Sequence, residues 1–319
     1  MATNKNSHLD CVLSSHRIKN EEKLLEKHRA KRKEIREFLQ GKYGSDIHNP
    51  FDSGSYAKNT AINTKYDFDL VVPFKRDSFN TLKEMYDDLF EALNEEFKDT
   101  ATIREQKVSI GLEFYVDSDG HTVYVDVVPG RELNQDQYAE DKKLNLFVKK
   151  QYGLFEEGSD RLRTNVNAQI ENIRNRAEGA ADIRKIIRLL KVWKVNNNGK
   201  MKSFLIELIT IKAFDKQDVS GSIWEKLQVV LEYIRDNIEN VSLIDPGNGG
   251  NNVSDTLTDF EKSSIKQDMD YILGRIEENE DNIKYYFPIN DKFPCDEEKG
   301  KYGIKEAAGF SVPPATKFG

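Results

Sequence analysis

Asp67 and Asp69 stand two residues apart and lead into the apolar run Leu70-Val71-Val72. In an extended strand, residues two apart face the same side. The two carboxylates therefore point together, while Phe68 and Leu70 point into a core. A third acid, Asp126, sits in the separate valine-rich run TVYVDVVPG. There Val123, Val125 and Val127 share one face, and Tyr124, Asp126 and Val128 share the other. Upstream of the first pair lies Gly54-Ser55. Glycine lets the backbone approach a ligand closely, and serine offers a hydroxyl and an amide to a terminal phosphate. Three carboxylates on one sheet face repel unless a cation sits among them, and hard oxygen ligands of this kind suit Mg²⁺ or Mn²⁺. Two such ions, about 3.5–4 Å apart, would activate an attacking hydroxyl and stabilise a leaving pyrophosphate. A lone Asp-x-Asp pair reads as a solvated strand end, and a lone Gly-Ser as a loop. Their combination with a third strand-borne acid is the equipment of metal-dependent nucleotidyl transfer.

These residues need a sheet to hold them. Residues 51–74 read as two strands around the Gly-Ser turn, and 107–117 and 121–128 as strands joined at Ser118-Asp119-Gly120, a plausible hairpin turn. Helical spacing is expected over 20–42, closed by Gly41 and Gly44, and over 78–98. From about residue 165 the pattern is helical, with segments at 166–178, 180–196, 203–214, 221–239 and 257–280. The Gly- and Asn-rich loop IDPGNGGNNVSD separates the last two. After Phe287, Pro, Gly and charge mix into a weakly structured tail. No internal repeat is present. A mixed strand-helix half followed by a helical half predicts an α+β chain of two lobes with a cleft between them.

Composition narrows the setting. The chain has 319 residues and a formal net charge of -7, which argues against a bulk nucleic-acid binder, since counterion release needs a basic surface. No apolar run approaches the roughly 18 residues of a membrane helix, and MATNKNSHLD lacks a signal-peptide core, so the cytoplasm is expected. The two cysteines, Cys11 and Cys295, lie near opposite ends and are expected to stay reduced there. With five scattered histidines they make no zinc-site spacing.

Gly54-Ser55, the Asp67/Asp69 pair and Asp126 resemble the polymerase-beta-like nucleotidyltransferase superfamily. The helix IIRLLKVWK, a short polar break and then KSFLIELI look like the bacterial cGAS/DncV-like nucleotidyltransferases and the related oligoadenylate synthases. IDPGNGGNNV is similar to the Asp-Pro and Asn-Asn segment these enzymes carry late in the chain. The resemblance covers about residues 20–280. It implies a bilobal polymerase-beta-like fold: a catalytic lobe over 1–160 with a mixed sheet and a bridging N-terminal helix, a helical lobe over 161–290, and a tail over 291–319. It implies that Asp67, Asp69 and Asp126 bind the catalytic Mg²⁺ ions, that Ser55 and Ser203 contact the nucleotide triphosphate, and that Lys191 reaches its phosphates. Phe204 takes the position of an aromatic residue that stacks on the donor base; the family often has Tyr there. Each has a plainer structural alternative, Lys191 as a solvated charge and Phe204 as core. Trp193 and Glu207 read as architectural, Glu207 through a buried hydrogen bond.

The implied activity is synthesis of a cyclic di- or trinucleotide from nucleoside triphosphates in bacterial anti-phage defence. An RNA-tailing or antibiotic-modifying enzyme of the same superfamily, or an inactive antitoxin-like binding module, remain as alternatives. The chain lacks the cysteines for the zinc ribbon that grips DNA in the animal enzymes, so no obligatory nucleic-acid activator is expected, and without a long apolar run no membrane partner is expected either. Residues 17–42 hold ten Lys and Arg against five Glu and read as a solvated helix face. The terminal GFSVPPATKFG suits an extended segment, and its last residue, Gly319, suits a conjugating partner.

Overall fold

The computed structural model describes residues 3–64, 68–116, 120–149, 161–176 and 178–295. Asp67, Ser118, Asp119 and Gly319 lie outside these described residues. The chain opens with α1 (Lys5–Ser15) and α2 (Glu22–Tyr43), then β1 (Phe51–Ser53), the single turn α3 (Gly54–Ala57) and β2 (Phe68–Phe74). α4 (Leu82–Phe97) leads to β3 (Ala101–Glu105), β4 (Ile110–Phe114) and β5 (Val123–Glu132). The short α5 (Tyr138–Asp141), β6 (Leu144–Phe147) and β7 (Arg161–Thr164) complete this half.

These strands form one seven-stranded sheet, β1-β2-β5-β4-β3, with β6 beside the far end of β5 and β7 beside β6. β2 and β5 are parallel; the other pairs are antiparallel. Alternation decides which face each residue takes. Phe68, Leu70, Val125 and Val127 are fully buried. Leu70, Val125 and Val127 pack beneath Ile35 and Leu39 of α2 and Leu89 of α4. Asp69 and Asp126 take the opposite face.

The second half is α6 (Val166–Arg174), α7 (Ala180–Asn196), α8 (Ser203–Lys216), α9 (Ile223–Asn237), the hairpin β8 (Ile244–Asp245) and β9 (Asn248–Asn252), α10 (Asp259–Glu278) and the short α11 (Ile283–Tyr286). α8 lies at the centre of their common core, buried continuously from Leu205 to Ile211. Ser222 and Thr258 start α9 and α10 with reciprocal capping boxes. The Asp-Pro loop is structural here. The buried Asp245 carboxylate accepts from Gln169 Nε2 at 2.9 Å and from the Gly247 N–H at 2.7 Å, which docks the hairpin on α6.

Three expectations change. α1 was not foreseen as a helix, and it packs into the helical core through Leu9, Val12 and Leu13 rather than with the sheet. The basic face of α2 is not wholly solvated. Arg32 turns inward, 2.5 Å from Asp52 of β1, and Arg36 pairs with the same carboxylate; Lys31, paired with Glu34, lies over the Phe114 ring, and Lys33, paired with Glu37, faces outward. The cysteines are not two separate thiols. Cys11 and Cys295, 284 residues apart in sequence, form a disulfide with Cα atoms 5.6 Å apart, because residues 288–295 return along α1.

Candidate active site

Gly54 opens α3 in the left-handed region, at φ +65°. A Cβ there would fall 1.7 Å from Asp69 Oδ2, so position 54 has no room for a side chain and the Asp69 carboxylate lies directly against this backbone. The pairing explains the approach: Ser53 is in register with Asp69, and Asp69 with Asp126 on the neighbouring parallel strand. The Gly-Ser turn and the two acids thus stand in a line across β1, β2 and β5. At Gly111, opposite Asp126 on β4, a Cβ would fall 2.5 Å from Gln106 Nε2, so the glycine leaves room for the Gln106 side chain. Gln106 Nε2 donates to Asp126 Oδ1 at 3.0 Å, and Ser109 Oγ donates to Gln106 Oε1 at 2.6 Å. Gln106 orients the third acid, and nothing in the local sequence pattern marks it.

Among the described residues no group of three His, Cys, Asp or Glu side chains is close enough to hold a metal. The described part of the expected set is the Asp69–Asp126 pair. Its chemistry fits a hard divalent cation: two carboxylates adjacent across a parallel ladder, with the glycine at position 54 leaving room for the Asp69 carboxylate.

A cavity of about 570 Å³ runs from Asp69 to the helical lobe. Ser55, Ile62 and Asp69 line one wall, and Lys194, Lys200 and Ser203 the other. Its far rim is the α7–α8 turn. Asn198 adopts φ +52° there, and a Cβ at Gly199 would sit 2.8 Å from the Trp193 ring. The Asn-Gly pair is a turn signal that could have been read as a binding element. Ser203 is the first residue of α8, and Lys194 Nζ donates to its Oγ at 3.4 Å.

Lys191 lines the cavity but is buried, and it does not extend freely toward a ligand. Its ammonium donates to Glu207 Oε1 at 2.9 Å and to Thr60 Oγ1 at 3.0 Å. Lys58 donates to Glu207 Oε2 at 2.8 Å, and Thr60 to Oε1 at 3.1 Å. Burial alone would push the Glu207 carboxyl up, but the Lys58 and Lys191 charges and their hydrogen bonds outweigh it and hold it down at about 2. This buried knot reaches the Gly-Ser turn, because the Thr60 N–H donates to the Ser55 carbonyl at 2.9 Å. Glu207 is architectural in the way the sequence suggested. Lys58 and Thr60 escaped the sequence reading, since their partner lies about 150 residues away and no local spacing reveals it. Phe204 is half-buried against the helical core, and the Lys58 ammonium stands 4.8 Å from its ring.

No family model matches the chain. The curated relative CBASS oligonucleotide cyclase CdnC of Escherichia coli (strain KTE188) is 26% identical over 240 residues, which cover 67% of this chain and 71% of the relative. The structure of E. coli MS115-1 CdnC with ATP superposes with a TM-score of 0.69 at 21% identity, covering 91% of this chain and 99% of that one. Bradyrhizobium diazoefficiens CdnG, a CD-NTase solved with GTP, gives 0.67 at 12% identity, covering 90% and 95%. The chain shares the fold of these CD-NTases and is similar in sequence to a CBASS oligonucleotide cyclase.

Proposed function

We propose that the chain joins nucleoside triphosphates into a cyclic di- or trinucleotide with release of pyrophosphate, as part of bacterial anti-phage defence. The observation that carries this is the line of Gly54-Ser55, Asp69 and Asp126 across three strands, opening on a cavity whose opposite wall is cationic. The names of the relatives, an oligonucleotide cyclase above all, favour cyclisation over tailing.

Each side chain then has a task. Ser55 and the adjoining amides receive the terminal phosphates of the donor, and Ser203 contacts them from α8. Lys194 and Lys200 offset the triphosphate charge. Lys191, braced by Glu207 and Thr60, supplies positive charge at the cavity wall. Phe204 would stack on the donor base if it turned from its present contact. Asp67, Asp69 and Asp126 would hold Mg²⁺, or Mn²⁺, which when bound polarises the donor phosphate and the attacking hydroxyl. Asp126, held by Gln106, accepts the proton of that ribose hydroxyl as it attacks the donor in line. The same site then repeats the transfer to close the ring. No nucleic-acid activator is required in this scheme. Gly319 is proposed as the residue on which a conjugating partner acts.

The purified chain is incubated with all four triphosphates and magnesium, with and without RNA. Nuclease-resistant cyclic product from triphosphates alone is expected, and the Asp67→Asn/Asp69→Asn double variant should abolish it while holding or raising metal-free thermal stability. Tailed RNA, or no pyrophosphate release with either metal, sinks the reading. Replacing Gly319 with Glu should abolish conjugates in cells and leave synthesis intact; conjugates that persist would remove the terminal role.

A further inference from the structure

The segment after α11 is a strap pinned along α1. The Phe287 carbonyl accepts from His8 Nε2 at 2.8 Å, and the Pro288 carbonyl from His16 Nε2 at 3.0 Å. The Asn290 N–H donates to Ser15 Oγ at 3.1 Å, and Lys292 Nζ to Glu21 at 2.6 Å. The Cys11–Cys295 bond closes its end. Cys11 and Ser15 are one helical turn apart on the same face of α1, so the bond and the Asn290 contact anchor one surface.

The strap also reaches the loop that borders the cavity. Asn290 Nδ2 donates to Asn63 Oδ1 at 3.1 Å. Asn63 donates from Nδ2 to the Ser15 carbonyl at 2.9 Å and from its N–H to the His16 carbonyl at 3.2 Å. Ala61 and Ile62, just before it, line the cavity. The triangle of Ser15, Asn63 and Asn290 therefore joins three segments distant in sequence: α1, the strap and the loop beside the acids.

We propose that Cys11 and Cys295 are a reversible oxidation site whose disulfide locks the strap and so holds residues 61–63 in the form that binds nucleotide. The oxidant is a hydroperoxide. One thiolate attacks the peroxide, the O–O bond breaks, and a sulfenic acid forms with loss of water or alcohol. The second thiol attacks that sulfur, the S–S bond forms and water leaves. Two thiols lose two electrons and two protons, and the peroxide gains them. Glutathione-type thiols reverse the step. Cys295 is the more accessible sulfur and Cys11 the buried one. With the bond open, the strap beyond Asn290 keeps the Lys292–Glu21 pair, whose lysine is largely exposed and which holds weakly. The Asn290 contacts then compete with water.

The effect on synthesis rests on the function proposed above; the effect on the loop does not. The full chain is reduced, freed of reductant, and half of it oxidised with hydrogen peroxide, with intact mass registering the loss of two hydrogens. KM for ATP and backbone hydrogen exchange across residues 61–63 are then measured. Oxidation is expected to lower KM about fivefold or more and to slow exchange. Asn290→Ala should still form the bond but lose both responses, and Cys295→Ser should show neither bond nor response. If no pyrophosphate is released, the function reading fails and exchange alone decides the latch. An intramolecular bond that does not form, or one that forms without slowing exchange, overturns it.

Discussion

Glu207 carries its charge within the buried stretch 205–211 of α8, and Lys58, Lys191 and Thr60 make that tolerable. A buried carboxylate that loses its partners costs about 3–5 kcal/mol, and removing the carboxylate strands the lysines just as badly. Glu207→Ala should therefore lower unfolding free energy by about 3–5 kcal/mol, as read in denaturant titrations. The pH dependence has a definite sign. The folded carboxyl is held down at about 2 against an ordinary value of 4.5, so its contribution is present above 4.5 and is lost as pH falls toward 2. Glu207→Gln should flatten the stability profile across that window; an unchanged slope would mean the knot is not charged as described. Gly54 makes a sharper case. It needs a left-handed backbone, and any Cβ would collide with Asp69 Oδ2. Gly54→Ala should leave the far helical core folded and cut pyrophosphate release by about a hundredfold or more, because it displaces an acid from its working position. Near-normal release from this variant would place Asp69 outside the chemistry.

At the scale of elements, the turn between α7 and α8 is the cavity wall most open to test. Gly199→Val would press two methyl groups toward the Trp193 ring and push Asn198 and Lys200 away from the cavity. KM for the triphosphate should rise about tenfold while the reaction, once nucleotide is bound, slows less. A fall in kcat at constant KM would assign the turn to chemistry. The shared face of Asp69 and Asp126 was legible in the chain because strand alternation is strict: buried Phe68, Leu70, Val125 and Val127 force the two acids onto the other face. α7 and α8 were legible from their apolar content. β3, β6 and β7 were not, being short segments of four or five residues without clean alternation. α1 was hidden for a different reason. It is apolar on several sides, with Leu9, Cys11, Val12 and Leu13 all buried, so no single stripe stands out. The inward turn of Arg32 depends on Asp52 across the fold, and a basic face alone cannot distinguish it from Lys33.

The whole molecule rests on two principal cores, one under the sheet and one among the helices. α1 belongs to the second although it comes first in the chain, so the N-terminus must return to the helical half for that half to close. Leu9, Val12 and Leu13 supply its side of the core, and Asn6 Oδ1 accepts from the Trp224 N–H in the first turn of α9 at 2.9 Å. Burying three such side chains stabilises by roughly 5 kcal/mol in all. Both tryptophans, Trp193 and Trp224, lie in this helical core, so intrinsic fluorescence follows its melting and not that of the sheet. A chain lacking residues 1–16 should show its fluorescence transition about 10 °C or more below that of the full chain. The sheet keeps its own core of α2, α4 and the strands, so its signal should move less when followed through a tryptophan placed on α4 at exposed Glu91. The Glu207 knot still joins the two halves, which makes some shared loss expected. A fluorescence midpoint that does not move would mean α1 merely rests on the helical core, and would put the bridging element at α2 alone.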